Sequence, residues 1–202
     1  MSGAYRIGLT GNIATGKTTV GQMLVALGAE LIDADEVAHT VMSPGGKAYA
    51  AVVAAFGPQI LAADGTIDRR QLGSLVFSDS EALRRLESIV HPPVIREIEH
   101  RILASRASVV VVEAIKLLES GAAAACDAVW VTNCPELLQL ERLVEGRGLS
   151  REAALQRIRA QPPQTEKIAA ADVVIDTAGT LAATRAQVTA AWVDLQAQLP
   201  AG

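Results

Sequence analysis

Aromatic residues are scarce in this chain. Phe, Tyr and Trp number two each and make up 3% of its 202 residues, so Ala, Val, Leu and Ile must build whatever core forms. Cysteine is equally sparse. Cys126 and Cys134 stand alone, with neither a C-x-x-C pair nor zinc-like spacing, and reduced, buried thiols are expected rather than a disulfide framework. Nor is there an excess of positive charge. Eighteen Lys and Arg face 22 Asp and Glu for a net charge of −4, which provides no global basic field for nucleic acid. Charges interrupt every apolar stretch before membrane-spanning length, and the N-terminus shows no charged segment followed by an apolar run and cleavage site. A soluble, cytoplasmic protein without a signal peptide or membrane contact is expected.

What is present begins at Tyr5. A short apolar strand with Ile7 and Leu9 runs into Gly11-Asn12-Ile13-Ala14-Thr15-Gly16-Lys17-Thr18-Thr19, which satisfies G-x-x-x-x-G-K-[ST]. Gly11 and Gly16 permit backbone angles and close approaches that a Cβ would forbid, so that successive N–H groups can ring a phosphate. Lys17 brings a mobile positive charge to the outer phosphates, and the Thr18 hydroxyl can ligate Mg²⁺. Val20, Met23, Leu24 and Leu27 then recur at helical spacing, and Gly28 sits where a helix terminates. The positive end of that helix points back at the loop.

Glu30-Leu31-Ile32 predicts a second strand ending at Asp33-Ala34-Asp35. Asp35 is expected to cap the next helix, whereas Asp33, at the strand tip, is placed to accept a proton from an attacking hydroxyl. From the Ser43-Pro44-Gly45-Gly46 turn to about Ser105 the pattern is helical, with apolar stripes at Leu83, Leu86, Ile89, Val90 and at Val94, Ile95, Ile98, Ile102. His91-Pro92-Pro93 lies between the stripes and is expected to kink or divide the helix. Such a helical block between two strands of a phosphate-binding core reads as a substrate-holding insertion. Position alone leaves Arg69 and His91 open between a substrate role and a capping or solvated one.

Ser108-Val109-Val110-Val111-Val112 is a buried strand ending at Glu113, where phosphate-loop proteins place an acid that holds the metal through water. Ala128–Thr132 makes a fourth strand, and Pro135 opens a helix with Leu137, Leu140 and Val144 on one side and Gln139 and Arg142 on a polar side. Arg142, Arg147, Arg151, Arg157 and Arg159 fall within eighteen residues and read as a mobile, anion-gripping lid. A fifth strand at Asp172–Asp176 and a helix with Leu181, Val188, Trp192, Leu195 and Leu199 complete a doubly wound α/β core.

Taken in order, these residues resemble the dephospho-CoA kinases over nearly the whole chain. The shared features are the phosphate loop, Ile32-Asp33-Ala34-Asp35, Ile67-Asp68-Arg69 with Leu72, Val76-Phe77, Leu86-Glu87 and His91-Pro92. They continue with Gln139–Leu143, Arg147, Leu149–Ala153, Arg157-Ile158, Ala160-Gln161, Ala171-Asp172 and Ile175-Asp176. The resemblance implies a P-loop kinase-type five-stranded parallel sheet, with core 1–33 and 107–202, a helical CoA-binding insertion at about 34–106 and a lid at about 139–165. It implies transfer of the γ-phosphoryl group of ATP to the ribose 3′-hydroxyl of dephospho-CoA, with Mg²⁺, by a monomer. Asp33 would be the base or hydroxyl-orienting carboxylate. Lys17 and Thr18 would hold phosphate and Mg²⁺, Arg142 and Arg147 would neutralise the moving group, and Arg69 and His91 would place the acceptor. Three places depart from the family pattern: Asn12 and Ala14 replace usual glycines, Glu113–Glu119 replaces D-x-P-L-L-F-E, and Thr177 replaces a frequent Asn.

Other readings fit less well. A nucleoside monophosphate kinase would use the same loop and lid with a different insertion. A GTP-dependent switch would need a γ-phosphate sensor and an Asn-Lys-x-Asp reader; Asp176-Thr177-Ala178-Gly179 comes about 160 residues after the loop, and Asn133-Cys134-Pro135-Glu136 lacks the lysine. A protein that holds nucleotide without catalysis would have no use for Asp33 and the lid arginines.

Overall fold

A computed structural model of the chain describes residues 4–77 and 79–199. The chain divides into two compact units, Met1–Ile32 with Ser105–Gly202, and Asp33–Ala104.

The first unit is built on a five-stranded parallel sheet in the order β2-β3-β1-β4-β5. Its strands are β1 (Tyr5–Thr10), β2 (Glu30–Asp33), β3 (Val109–Glu113), β4 (Ala128–Asn133) and β5 (Val173–Asp176). β1 is central: Ile7 lies opposite Val111 of β3 and opposite Ala128 of β4. All five residues of β3 are buried, as a β-branched run covered on both faces must be. Ile7, Leu9, Val109, Val111 and Trp130 turn to one face and meet Val20 and Leu24 of α1 (Lys17–Ala26) and Val188, Trp192 and Leu195 of α9 (Leu181–Gln198). On the other face Leu117 packs so closely that a Cβ at Gly8 would stand 2.6 Å from its Cδ2.

Local signals set the helix ends. Gly28, at φ 106°, follows α1, with its N–H on the Val25 carbonyl and the Ala29 N–H on the Leu24 carbonyl. This double closure satisfies carbonyls the helix leaves open. Ser150 caps α7 (Arg151–Arg159) through the Ala153 N–H, and Thr180 caps α9 through the Ala183 N–H. α6 (Glu136–Arg147) follows Pro135, which stands at the cap rather than in the first turn. α8 (Gln164–Ala169) leads into β5.

The second unit is helical: α2 (Ala34–Met42), α3 (Tyr49–Phe56), α4 (Arg69–Phe77) and α5 (Ser80–Ala104), with α2, α3 and α4 packed on α5. Asp68 caps α4 by accepting from the Arg70 and Gln71 N–H groups.

Several sequence expectations are corrected. Asp33, not Asp35, caps α2; its Oδ1 accepts from the Asp35 N–H at 2.8 Å and the Glu36 N–H at 3.2 Å, because the helix starts at Ala34, earlier than an Asp35 cap allows. Pro92 and Pro93 do not divide α5, which runs unbroken for 25 residues. Proline removes a ladder donor, but burial of Val90, Pro93 and Ile102 holds the helix together across the gap. Apolar periodicity also overreaches at Ile95, Leu137 and Leu181, which are 55%, 63% and 68% exposed. Gln139, expected on a polar side, is buried and donates to the Cys134 carbonyl.

Candidate active site

The phosphate loop leaves β1 at Thr10 and enters α1 at Lys17. Gly11 takes φ 145°, and a Cβ there would lie 2.5 Å from Thr132 Oγ1 and 2.6 Å from the Thr132 carbonyl oxygen. Glycine is required at that position. Gly16 takes φ 90°, and between them Ala14 takes φ 60°, a left-handed conformation that alanine pays for and that persists only where neighbours impose it. Thr15 Oγ1 lies 2.7 Å from the Asn12 carbonyl oxygen and 2.7 Å from Thr132 Oγ1, tying the turn to β4.

Lys17 is buried, and its ammonium donates to the Gly11 carbonyl at 2.9 Å and the Asn12 carbonyl at 3.3 Å. Thr18, exposed in the first turn of α1, donates its hydroxyl to Glu113 Oε1 at 3.2 Å. Glu113 closes β3 and is buried. A hydroxyl and a carboxylate at this spacing form an all-oxygen donor pair. That suits a hard cation which keeps waters and takes its other ligands from substrate phosphates.

Arg142 and Arg147 of α6 complete the cleft. The Arg142 guanidinium donates to the Ala14 carbonyl at 3.1 Å, to Thr177 Oγ1 at 3.2 Å and to the Thr177 carbonyl at 2.6 Å. Thr177 in turn donates its hydroxyl to the Thr15 carbonyl at 2.7 Å. Beside this fork, burial pushes the Cys134 thiol above its ordinary pKa, against the opposing charge of Arg142. The space enclosed is about 370 Å³, lined by Gly16, Lys17, Thr18, Arg142, Arg147 and Thr177 among others, with Thr19 also at its edge. Arg151, Arg157 and Arg159 are exposed on α7 and do not line it. The segment read as a mobile lid is packed: Leu140, Leu143, Ala154 and Ile158 form a cluster against Ile13 and Ala14.

In the second unit, Asp33 is the cap of α2. Arg69, exposed in the first turn of α4, bonds His39 Nδ1 in the last turn of α2. His91 is half-buried midway along α5. Thr132, Thr177, Gln161 and Gln164 all touch the loop or its partners, and sequence reasoning assigned none of them to the site. Their spacing from the loop carries no local signal. Among the described residues no helix is long and apolar enough to cross a membrane.

Comparison with known proteins agrees with this geometry. The family model "CoaE: Dephospho-CoA kinase" matches residues 5–183. The dephospho-CoA kinase of Carboxydothermus hydrogenoformans is 45% identical over 185 residues, covering 90% of each chain. Among solved structures, TT1252 from Thermus thermophilus superposes with a TM-score of 0.85 at 32% identity, covering 99% of this chain and 100% of that one. Dephospho-CoA kinase from Campylobacter jejuni superposes with a TM-score of 0.61 at 26% identity, covering 95% and 97%. A loop, a threonine–glutamate pair and an arginine fork gathered at one helix N-terminus, together with matches that run nearly end to end, show that the chain belongs to the dephospho-CoA kinase family.

Proposed function

We propose that this chain phosphorylates the ribose 3′-hydroxyl of dephospho-CoA from ATP, giving coenzyme A and ADP, with the roles divided as follows. The loop from Gly11 to Thr19 and the Lys17 ammonium hold the triphosphate. Arg142 and Arg147 lie in the same cleft and offset charge on the transferring group. Asp33 orients the acceptor hydroxyl and takes its proton as the new O3′–P bond forms and the bond from the γ-phosphorus to the β,γ-bridging oxygen breaks. Its place at the carboxyl end of a strand in the parallel sheet is where α/β proteins set ligand-binding groups. Arg69 and His91 place the acceptor.

Mg²⁺ would be held by Thr18, by Glu113 through water and by the phosphates, and when bound it neutralises phosphate charge. The protein's own task is alignment and charge stabilisation, since phosphoryl transfer needs no protein nucleophile. Catalysis by a monomer in the cytoplasm completes the reading.

The observation that carries it is the convergence of Lys17, Thr18, Arg142 and Arg147 on one cleft at the start of α1. The test is coupled ADP release with dephospho-CoA against a panel of nucleoside monophosphates, with and without Mg²⁺. Turnover with dephospho-CoA alone, abolished by chelation, is expected; turnover with a monophosphate instead would transfer the assignment to the other kinase class. Asp33→Asn should lower kcat by ~10²-fold or more with ATP affinity near wild type. Wild-type turnover in that variant would remove Asp33 from the mechanism.

A further inference from the structure

From the end of α7 into the first residue of α8 runs Gln161-Pro162-Pro163-Gln164, a segment with no part in the roles assigned above. It lies along the outer turn of the phosphate loop. Gln161 Oε1 accepts from the Ile13 N–H at 2.7 Å, and Gln164 Oε1 accepts from the Asn12 N–H at 2.9 Å. The Pro162 carbonyl accepts from Asn12 Nδ2 at 3.0 Å. Gln164 is itself held, since its Nε2 donates to the Thr132 carbonyl at 2.8 Å, and Thr132 is the β4 residue already bonded to Thr15. Two side chains and one carbonyl, about 150 residues along the chain, therefore grip two consecutive loop residues.

The two prolines suit this task. They carry no N–H to compete for the glutamine oxygens, and their fixed φ keeps the segment extended with little entropy left to lose.

The loop needs such a restraint. Ala14, the next residue, holds φ 60° without the freedom of glycine, and its carbonyl is braced from the opposite side by Arg142. An alanine in that conformation relaxes unless its surroundings over-determine it. With Gln161 and Gln164 on the preceding amides and Arg142 on the following carbonyl, the turn is clamped from both ends. The amides from Gly16 into α1, which face the phosphates in a loop of this type, inherit their direction from it.

We propose that Gln161 and Gln164 are positioning residues for ATP: the Gln161–Gln164 segment serves as a strap that holds the outer turn of the phosphate loop in its nucleotide-binding shape before nucleotide arrives. The inference rests on the reading of this loop as the ATP site. It makes ATP affinity, and not acceptor affinity, depend on residues that touch neither substrate.

The test compares Gln161→Met, which keeps length and loses the acceptor, with Gln164→Met, Ala14→Gly and the double variant Gln161→Met/Ala14→Gly. Gln161→Met should raise the KM for ATP by about five- to tenfold, the value of one lost hydrogen bond, and leave the dephospho-CoA KM within about twofold. Because glycine adopts the left-handed turn without cost, Gln161→Met should lose clearly less ATP affinity in the Ala14→Gly background. Additive losses in that cycle, or equal changes in both KM values, would reduce the strap to general structural support and overturn the proposal.

Amide hydrogen exchange on the wild-type protein provides a measurement independent of the variants' folding. The Asn12 and Ile13 amides should be protected before any nucleotide is added, and free exchange there would overturn the proposal. Lys17→Ala serves as the control for the underlying reading. If it leaves ATP binding intact, the ATP site itself is misplaced and the strap fails with it; if it abolishes binding while Gln161→Met does nothing, the strap alone is wrong.

Discussion

The Lys17 ammonium donates to the carbonyl of Gly11 at 2.9 Å, so the cation proposed to serve the outer phosphates rests on the first turn of its own loop. At 8% exposure it is almost dry, and a buried ammonium is tolerated only with such acceptors. Lys17→Ala should cut phosphoryl transfer by ~10²-fold or more and weaken ATP binding at least about tenfold. Calorimetric titration with ATP is the check, and an unchanged isotherm would contradict the role.

Arg142 acts as a planar fork, with one nitrogen on the Ala14 carbonyl and Thr177 Oγ1 and the other on the Thr177 carbonyl. An ammonium cannot reproduce two parallel donors. Arg142→Lys should therefore lose nearly as much kcat/KM for ATP as Arg142→Ala, on the order of 10²-fold, with acceptor binding preserved. Steady-state kinetics with each substrate varied would decide it. A loss confined to acceptor affinity would move Arg142 to the other substrate.

Two left-handed glycines separate conformational strain from steric exclusion. At Gly65, φ 80°, a Cβ would meet nothing within 4 Å, so Gly65→Ala should cost only the backbone penalty of about 1–2 kcal/mol. At Gly11 the added carbon would also strike Thr132 and Thr15 within 2.7 Å. Gly11→Ala should cost at least about 3 kcal/mol, or open the loop and abolish ATP binding. Urea unfolding of both variants gives the comparison, and equal destabilisation would disprove the steric account.

Lys167, 1% exposed, is held by Glu119 at 2.8 Å and by the Ile115 carbonyl at 2.8 Å. Burial pushes the Glu119 carboxyl up, but the Lys167 hydrogen bond and charge outweigh it and hold the group below its ordinary 4.5. Its contribution is thus present above about pH 4.5 and is lost as pH falls through the lower folded value. Glu119→Gln should be less stable at neutral pH by about 1–2 kcal/mol and converge on wild type in acid. Parallel unfolding curves of the two proteins at every pH would show that the pair contributes nothing.

Much of this chain is legible locally. The strand–loop–helix around Gly11, the valine run of β3, the caps at Ser150 and Thr180 and the closing turn at Gly28 each follow from interactions within a few residues. Errors arise where a neighbour intervenes. The α2 cap falls on Asp33, α5 survives two prolines because its flanks are buried, and Ile95, Leu137 and Leu181 keep apolar periodicity while facing solvent. Gln139 is the reverse case, a polar residue drawn inside by the Cys134 carbonyl.

Composition and order along the chain were enough to establish an α/β protein of the P-loop kinase type, its family and the glycine-bounded loop proposed to hold nucleotide. Hydrophobic period, glycine stereochemistry and the lysine–threonine pair are properties of short stretches, and they survive any arrangement of the rest. Folding alone could place β1 between β3 and β4, bring Arg142 and Thr177 onto Ala14, and lay Gln161 and Gln164 against Asn12 and Ile13. Those contacts join residues up to about 160 positions apart, and their partners are selected by how the sheet and helices close around a shared core, which leaves no mark on the spacing of either partner.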